Sequence, residues 1–441
     1  MRGADRLCRN PRGHDSEPVK TDATALVADL TRAARAAART LATLPTATKA
    51  SALRAAADAL RAAEGAIVAA NAVDMARATA AGLSGALLDR LRLDGARVRA
   101  MADGVAAVAS LSDPVGALID ERVRPNGLVL RRVRVPIGVI GIIYESRPNV
   151  TADAAALGVM AGNAVILRGG SEAIESNRAI HAALIAGFAA HGVPADAAQL
   201  VPTIDRAAVG AMLTADGSSG GAAIDLIIPR GGKGLVARVQ AEARVPVLAH
   251  LDGINHVYVD ASADPVMAQA IVRDAKLRRT GVCGAMETLL IDRDYPQASA
   301  LVAALSDAGC EVRVDATLAR HFPDLPHASD ADWDTEYLDA IASAALVDGV
   351  DGAIAHIARH GSHHTDAIIA SDSAIADRFL TRVDSAIVLW NASTQFADGG
   401  EFGLGAEIGI ATGRLHARGP VALEGLTTYK WVGYGTGQVR G

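Results

Sequence analysis

The sequence of 441 residues is poor in aromatic side chains, which make up 3% of it. Because hydrophobic residues still account for 50% of the chain, its cores must be filled mainly by Ala, Val, Leu and Ile. Cysteine is scarce as well: Cys8, Cys283 and Cys310 are scattered along the chain, unlike the dense, even-numbered frameworks of small secreted domains. This cysteine usage is typical of a reducing compartment and predicts a cytoplasmic protein.

The sequence has neither an excess of positive charge nor a long hydrophobic run. Its net charge is -6, which offers no electrostatic footprint for nucleic acid. The longest apolar stretch, residues 135–144, is about half the ~20 residues that a membrane-spanning helix needs. We therefore expect small-molecule partners, with no nucleic acid and no membrane. Residues 1–20 are polar and basic without the apolar segment of a secretory signal, and we expect a disordered leader there.

Helical and strand patterns divide the chain into regions. Residues 21 to about 109 are Ala-rich with Leu, Val and Arg at helical spacing, which predicts a layer of helices. Residues 128–144 are rich in β-branched side chains and predict two strands joined around Pro136. Beyond them, strands and helices alternate to about residue 250 and again from residue 256. Such alternation predicts two α/β units whose parallel sheets carry helices on both faces. The Gly-rich and then extended stretch from Gly399 predicts a strand lent to a partner subunit.

Cys283 is the first candidate for chemistry, since it lies on a glycine-flanked loop between a predicted helix and a predicted strand (RRTGVCGAMETLLI). A thiol on such a loop is sterically open. Arg278 and Arg279 are expected to favour the thiolate, which is the nucleophilic form. A buried structural cysteine is the alternative, and it is the interpretation preferred for Cys310 and Cys8.

Two glycine turns are candidates for binding phosphate. Gly232 and Gly234 begin a loose match to the dinucleotide pattern GxGxxG/A, and Asp252 follows where a ribose-binding acid would be expected. The match is weak, but amides at the start of the next helix can hold phosphate, and Lys233 adds positive charge. Arg168, at the end of the strand AVILR, is either a second anion-binding corner or a solvated strand end. Two cations at such corners favour a phosphorylated ribose, so the expected cofactor is NADP rather than NAD.

Asn149 has two interpretations. Pro148 keeps Arg147 out of the α region, so Asn149 can cap the helix that follows. Alternatively, its amide points into a cleft as an oxyanion donor. The pair His363 and His364 suggests metal binding, but no Cys/His set with ligand spacing accompanies it, so no metal is assigned.

Long motifs along the chain carry a resemblance to a known family. From about residue 21 to residue 440, the chain resembles the gamma-glutamyl phosphate reductase family and, more distantly, the aldehyde dehydrogenase superfamily. The motifs are YESRPNVT, NAVILRGGSEAIESN, LIIPRGGKGL, VCGAMETLL, WDTEYLD, NASTQFADGGEFGLGAEIG and LHARGPVALEGLTTYKW.

The resemblance implies an aldehyde dehydrogenase-like α/β fold, with two doubly wound α/β domains and a small β oligomerisation element. Residues 21–123 and 134–250 would form the NADP-binding domain, and residues 251–398 the catalytic domain. Residues 124–133 and 415–441 would form the oligomerisation element of a homo-oligomer.

The resemblance also assigns roles to residues. Cys283 would be the nucleophile and Asn149 the side-chain oxyanion donor, with the backbone N–H of Gly284 as a second donor. Asp252 loses its role as a ribose ligand. The implied cofactor contacts are the adenosine ribose at Arg168, Ser171 and Glu172, the nicotinamide ribose at Glu336, and the phosphates at Gly232, Lys233 and Gly234.

Two positions depart from the family pattern. The residue after the nucleophile is commonly Asn and is Gly284 here, and Asn255 stands where family members often carry Cys. Arg147, Arg414 and His416 are candidates for anion contacts, each with a structural role as the alternative.

The implied reaction is NADPH-dependent reduction of L-glutamyl 5-phosphate to L-glutamate 5-semialdehyde with release of phosphate, through a Cys283 thioester. It would be the second step of proline biosynthesis from glutamate. A CoA-acylating or other aldehyde dehydrogenase is the enzymatic alternative, and a catalytically silent binding partner of glutamate 5-kinase is the alternative from another class. The segment VPVLAHLDG has no clear glutamate to activate water, which suits a reductase whose thioester must survive. Association of an active enzyme with glutamate 5-kinase would suit a labile acyl phosphate.

Overall fold

The computed structural model describes residues 22–218 and 221–440, so the expected leader lies outside the described residues. The described part contains helices α1–α13 and strands β1–β15. The helices are α1 Ala23–Leu41, α2 Thr46–Ala62, α3 Glu64–Ala80, α4 Gly85–Leu91, α5 Gly95–Val108, α6 Val150–Met160, α7 Ile174–Ala189, α8 Ala207–Leu213, α9 Lys233–Glu242, α10 Pro265–Leu277, α11 Ala298–Asp307, α12 Gly349–His360 and α13 Ser373–Arg382. The strands are β1 Leu118–Val123, β2 Val129–Pro136, β3 Val139–Tyr144, β4 Ala164–Gly169, β5 Ala198–Leu200, β6 Leu226–Arg230, β7 Asn255–Val259, β8 Met286–Asp292, β9 Glu311–Val314, β10 Ile341–Val347, β11 Thr365–Ile369, β12 Ile387–Trp390, β13 Gly409–Ala411, β14 Gly419–Val421 and β15 Thr427–Tyr434.

The first α/β unit is built on a four-stranded parallel sheet in the order β5-β4-β3-β6. The Ala-rich helical layer packs on this unit and shares its core. Small side chains let the helices approach closely: a Cβ added to Gly187 of α7 would lie 2.3 Å from the Ala56 backbone of α2. This packing explains how a chain with so few aromatic residues fills a large core.

The second α/β unit is built on a six-stranded parallel sheet in the order β12-β11-β7-β8-β10-β9. Helices α10 and α11 cover one face, and α12 and α13 cover the other. Two parallel sheets with covering helices confirm the predicted α/β class. None of the helices in the described ranges is both long and apolar enough to cross a membrane.

A third sheet is antiparallel, in the order β1-β2-β15. Its hairpin spans residues 118–136, wider than the predicted 124–133, because β1 and β2 pair beyond those limits on both sides. The segment from residue 408 to residue 426 belongs to the first core instead of to a free tail, since Val421 and Leu426 are fully buried there. The C-terminal strand β15 then pairs with β2 of its own chain.

A buried ion pair joins α10 to β8 on either side of the loop that carries Cys283. Lys276 Nζ lies 2.6 Å from Glu287 Oε2, and both side chains are almost fully buried. Burial raises the pKa of Glu287 to about 7 in spite of the attraction of Lys276. Removal of either partner would therefore leave an unpaired charge in the core, which lowers the free energy of unfolding strongly.

We predict that Lys276→Met lowers the free energy of unfolding by about 3–5 kcal/mol, because Glu287 is left buried without its partner. The folded-state pKa of Glu287 lies above its unfolded value, and loss of Lys276 raises it further, so the deficit should be larger at pH 8 than at pH 6. Urea unfolding at both pH values measures it. Arg32→Ala, which removes an exposed ion pair with Asp29, is the control and should stay within about 0.5 kcal/mol of the wild type. An equal effect of the two substitutions would contradict the prediction.

Candidate active site

A cleft of about 860 Å³ opens between the two parallel sheets. The first sheet contributes the segments that follow the carboxyl ends of β3 and β6, which carry Asn149 and Gly232. The second sheet contributes the segments that precede the amino ends of β7 and β8, which carry Asp252 and Cys283. Opposite ends of two sheets thus meet at one cavity.

The backbone around Cys283 is clamped from β7. Asn255 Nδ2 donates hydrogen bonds to the carbonyl oxygens of Cys283 at 2.6 Å and Ala285 at 2.8 Å. Its Oδ1 accepts the backbone N–H of Thr365 at 3.1 Å, so one amide ties three strand starts together. A Cβ added to Gly253 would lie 2.3 Å from the Cys283 carbonyl oxygen, so only glycine permits this approach. Asn255 therefore acts as a backbone clamp at the position where the sequence departs from the Cys of the resembled family.

The Cys283 thiol is partly buried, and its electrostatic surroundings differ from those predicted. Burial, followed by the negative charge of Glu336, raises its pKa to about 11. Arg278 and Arg279 line the cleft, but the cation that opposes this rise is Arg230, the last residue of β6 on the other sheet. The expectation of a thiolate favoured by the two neighbouring arginines is therefore wrong for the free protein, because burial outweighs charge.

Two imidazoles lie beside the thiol. The ligating atoms of His250, Cys283 and His364 all lie within 4.8 Å of one another. His250 Nδ1 is 2.7 Å from the carbonyl oxygen of Ile410, which requires its proton to be on Nδ1. Burial lowers the pKa of His250 and lowers that of His364 to about 3, so both rings are neutral at neutral pH. Sequence spacing did not reveal this set, since its members come from separate strand starts.

Asn149 lines the cleft but does not cap α6. Its side chain makes no capping bond, and Nδ2 instead donates to Asp153 Oδ2 at 2.9 Å. Burial raises the pKa of Asp153 to about 6, so its carboxyl group is mainly ionised near pH 7. The carboxylate then accepts the hydrogen bond that orients the Asn149 amide. An amide nitrogen carries two N–H groups, which leaves one free for the cleft. The capping interpretation is wrong, and the geometry is compatible with an oxyanion donor.

The loop before Asn149 is held by Glu172. Ser146 adopts a positive φ of 45°, which is strained for a residue other than glycine. The Glu172 carboxylate accepts its backbone N–H at 2.6 Å and its hydroxyl at 2.9 Å. Glu172 is thus engaged in shaping this loop, a role that the resemblance did not assign.

The glycine turn after β6 places the start of α9 at the cleft. Gly232 is the N-cap residue with no side-chain cap, and a Cβ there would meet nothing within 4 Å. Lys233 pairs with Asp252 at 2.8 Å, so its charge is not free. Glu336 also lines the cleft and accepts the N–H of Gly253 at 2.9 Å. Open amides beside a carboxylate fit the phosphates and ribose of a nicotinamide cofactor.

Arg168 is not the exposed anion-binding corner that the sequence suggested. The residue is buried, and its guanidinium donates to the carbonyl oxygens of Gly169 and Ile204. A separate cavity of about 510 Å³ lies nearby, at the end of β5, with Arg77 and Arg178 on its walls. Arg168 therefore supports the strand end, while other arginines face the space beside it.

Of the three further candidates for anion contacts, only Arg147 reaches the cleft. Burial lowers its pKa to about 10, so it remains charged at neutral pH. Arg414 pairs with Asp384, and His416 bonds to the Gly425 carbonyl oxygen; neither lines the cleft. Their interpretation as anion contacts is not supported by these positions.

Comparison with known proteins identifies the family. Residues 10–335 match the aldehyde dehydrogenase family. The gamma-glutamyl phosphate reductase of Novosphingobium aromaticivorans is 68% identical over 96% of this chain and 98% of its own length. That of Zymomonas mobilis is 60% identical over 95% and 97%. The crystal structure of the Thermotoga maritima gamma-glutamyl phosphate reductase matches with a TM-score of 0.91 and 40% identity, over 94% of this chain and all of that one.

The chain belongs to the gamma-glutamyl phosphate reductase family. An acetylating aldehyde dehydrogenase from Geobacillus thermoglucosidasius, 17% identical with a TM-score of 0.67 over 95% and 98% of the two chains, shares the fold. The expected family and fold are thereby confirmed.

Several site residues of this reductase family member were not found from its sequence. Arg230, His250 and Glu407 lie near Cys283, which is distant from them along the chain. Asp153 acts on Asn149, four residues before it. Arg230 lowers the pKa of Cys283, while Glu407 raises it. The available signal was position: each lies at or near the end of a strand or the start of a helix that borders the cleft.

We predict that Gly253→Ala lowers kcat at least about 100-fold, because the new Cβ displaces the Cys283 backbone and a shift of about 1 Å at reacting atoms has this cost. Gly210→Ala in α8, where an added Cβ meets nothing within 4 Å, is the matched control and should keep wild-type kcat. Steady-state kinetics of the two variants decide the matter. Wild-type kcat in Gly253→Ala would show that turnover does not depend on the close approach of Gly253 to the Cys283 backbone.

Proposed function

We propose that this chain reduces L-glutamyl 5-phosphate to L-glutamate 5-semialdehyde with release of phosphate, using NADPH and a thioester on Cys283. It would catalyse the second step of proline biosynthesis from glutamate. The observation that carries the proposal is the clamped Cys283 thiol, which lies in the cleft between the two sheets of a chain of this family. Family membership supports the acyl phosphate as the substrate.

The first step is attack of the Cys283 sulfur on the acyl carbon. The carbon–sulfur bond forms, phosphate leaves with the electron pair of the carbon–oxygen bond, and the thiol proton passes to the departing phosphate. Arg147 supports binding of the anionic substrate: its guanidinium is charged, lines the cleft and makes no hydrogen bond with any residue in the described ranges. Arg230 adds a second positive charge near the sulfur. The Cys283 thiol is protonated in the free protein, and it becomes reactive when the substrate binds beside these two cations.

The tetrahedral intermediate places a negative oxygen beside Cys283. The free N–H of Asn149 and the backbone N–H of Gly284 are the donors that could receive it. Asp153 keeps the Asn149 amide nitrogen on the correct side. A Cβ at residue 284 would lie 3.1 Å from the Thr394 carbonyl oxygen, a tight contact that Gly284 avoids.

The cofactor would be held by the start of α9 and by Glu336, and when bound it supplies the hydride that reduces the thioester. Gly232, Lys233 and Gly234 would face its phosphates, with Asp252 holding the Lys233 side chain. Preference for NADPH over NADH is supported by Arg77 and Arg178, which line the cavity at the end of β5 and pair there with Asp74 and Glu175. Ser171 borders that region, since Arg77 bonds to its carbonyl oxygen. The 2′-phosphate contact is thus assigned to these two arginines in place of Arg168.

Assembly and location complete the proposal. The antiparallel sheet exposes Tyr429, Trp431 and Tyr434, whose rings stack against arginines of the hairpin. Exposed aromatic rings together with arginine are typical of interface surfaces, which supports a homo-oligomer formed through this sheet. Cytoplasmic location agrees with the two free cysteines of the described residues. Transfer from glutamate 5-kinase would protect the labile acyl phosphate.

We predict that Cys283→Ser nearly abolishes turnover and that Asn149→Ala lowers kcat about 10²- to 10³-fold while cofactor binding is retained. The assay is reduction of NADP by glutamate 5-semialdehyde, run with phosphate, arsenate or CoA as the acyl acceptor and repeated with NAD. Phosphate and arsenate should support the reaction and CoA should not. Arg414→Ala, on the exposed surface outside the cleft, is the control and should keep wild-type turnover.

Each result has a distinct contrary outcome. Full activity of Cys283→Ser would exclude the covalent route, and unchanged kcat in Asn149→Ala would remove that side chain from the mechanism. Dependence on CoA in place of phosphate would make the protein a CoA-acylating aldehyde dehydrogenase. Equal rates with NAD would overturn the preference for NADP.

A further inference from the structure

Three side chains of the cleft form a potential set of metal ligands, a role that the proposed reduction does not require of them. Cys283 Sγ and the ring nitrogens of His250 and His364 converge within 4.8 Å of one another. One thiol and two imidazoles are the donor types that Zn²⁺ and similar soft divalent cations prefer.

The hydrogen bonds of the two rings leave their Nε2 atoms available. His250 donates its Nδ1 proton to the Ile410 carbonyl oxygen, so its Nε2 carries a lone pair. His364 is fully buried, its Nδ1 bonds to the Thr365 hydroxyl, and its Nε2 has no hydrogen-bond partner among the described residues. A buried nitrogen without a partner is costly, and a ligand at this point would satisfy it. Bonds from the opposite ring nitrogen are also the arrangement that orients metal-binding histidines.

To bind one ion, the three ligand atoms need to move only slightly closer together. With Zn–S near 2.3 Å and Zn–N near 2.0–2.1 Å, ligand atoms around a tetrahedral ion lie about 3.5 Å apart, roughly 1 Å closer than the outer limit here. Cys283 and His250 are only partly buried and border the open cleft, so they can move toward the fixed His364. Nearby Glu336 and Glu407 favour a cation, and the cleft side leaves a fourth position for water.

We propose that Cys283, His250 and His364 form a reversible binding site for one soft divalent cation of the Zn²⁺ class, which blocks the nucleophile when occupied. The thiol proton is released to solvent, and the sulfur binds the ion in place of the acyl carbon. The cation and the acyl substrate then exclude each other. The blocking effect rests on the proposed function, but the site itself does not.

The test is direct titration of the reduced, metal-stripped full chain with Zn²⁺, in competition with a zinc-binding chromophore and without substrate. We expect one tight site per chain. Cys283→Ser, His250→Ala and His364→Ala should each weaken it at least about 100-fold, because loss of a direct ligand costs no less than loss of its supporting residue. X-ray absorption of the 1:1 complex should show one sulfur and two nitrogen ligands.

His363→Asn is the matched control. It replaces the neighbouring histidine, which is exposed and bonds to the Asp384 carbonyl oxygen, and asparagine tolerates the positive φ of 60° at this position. This variant should bind Zn²⁺ as the wild type does. Since His364→Ala alters a buried residue, the partly exposed Cys283 and His250 variants keep the test valid if it does not fold.

A tight site that persists in Cys283→Ser, or a wild type that binds no more tightly than that variant, would overturn the proposal, as would loss of binding in His363→Asn. Activity is measured separately in metal-free buffer. A chain that binds Zn²⁺ with this ligand set but reduces no NADP would refute the proposed reaction and leave the metal site standing.

Discussion

The Asn255 side chain holds the loop that carries Cys283 in place, and the rest of the site depends on that clamp. Its amide nitrogen bonds to two carbonyl oxygens around Cys283, and its amide oxygen binds the start of β11. Gly253 brings the same segment to van der Waals contact with the Cys283 backbone. The position of the Cys283 backbone is therefore set by strand starts in a parallel sheet, which is what a reaction between positioned atoms requires.

The charges of the cleft explain why a buried thiol can be both stable and reactive. Burial and two glutamates keep Cys283 protonated in the free protein, which protects it from unwanted oxidation. Arg147 and Arg230 come from the other sheet, so their influence depends on how the two α/β units meet at the cleft. The proposed nucleophile on one unit and the positive charges on the other are thus brought together at the place where we propose that an anionic acyl group binds.

Local sequence patterns were sufficient to predict the fold, whereas the arrangement of the site depends on contacts between residues that are distant along the chain. The bounds of α10 and the break between β2 and β3 at Pro136 follow from periodicity and β-branched residues over short windows. Arg168 turned inward because two carbonyl oxygens accept its guanidinium, and no local pattern encodes this. His250 and His364 meet Cys283 only because strands β7, β8 and β11 are adjacent in the sheet, an order that the sequence does not display. The local sequence singled out Cys283 and Asn149 and the resemblance implied their roles, while the clamp and the balancing charges depend on contacts that only the folded chain makes.

The central claim is that Cys283 carries the acyl group, and trapping that group tests it most directly. The protein is incubated with glutamate 5-semialdehyde and NADP in the absence of phosphate, quenched in acid and digested for mass spectrometry. We expect a glutamyl thioester on the peptide that contains Cys283, and we expect it to be removed when phosphate is added before the quench. An unmodified Cys283 peptide under conditions where NADP is reduced would contradict it.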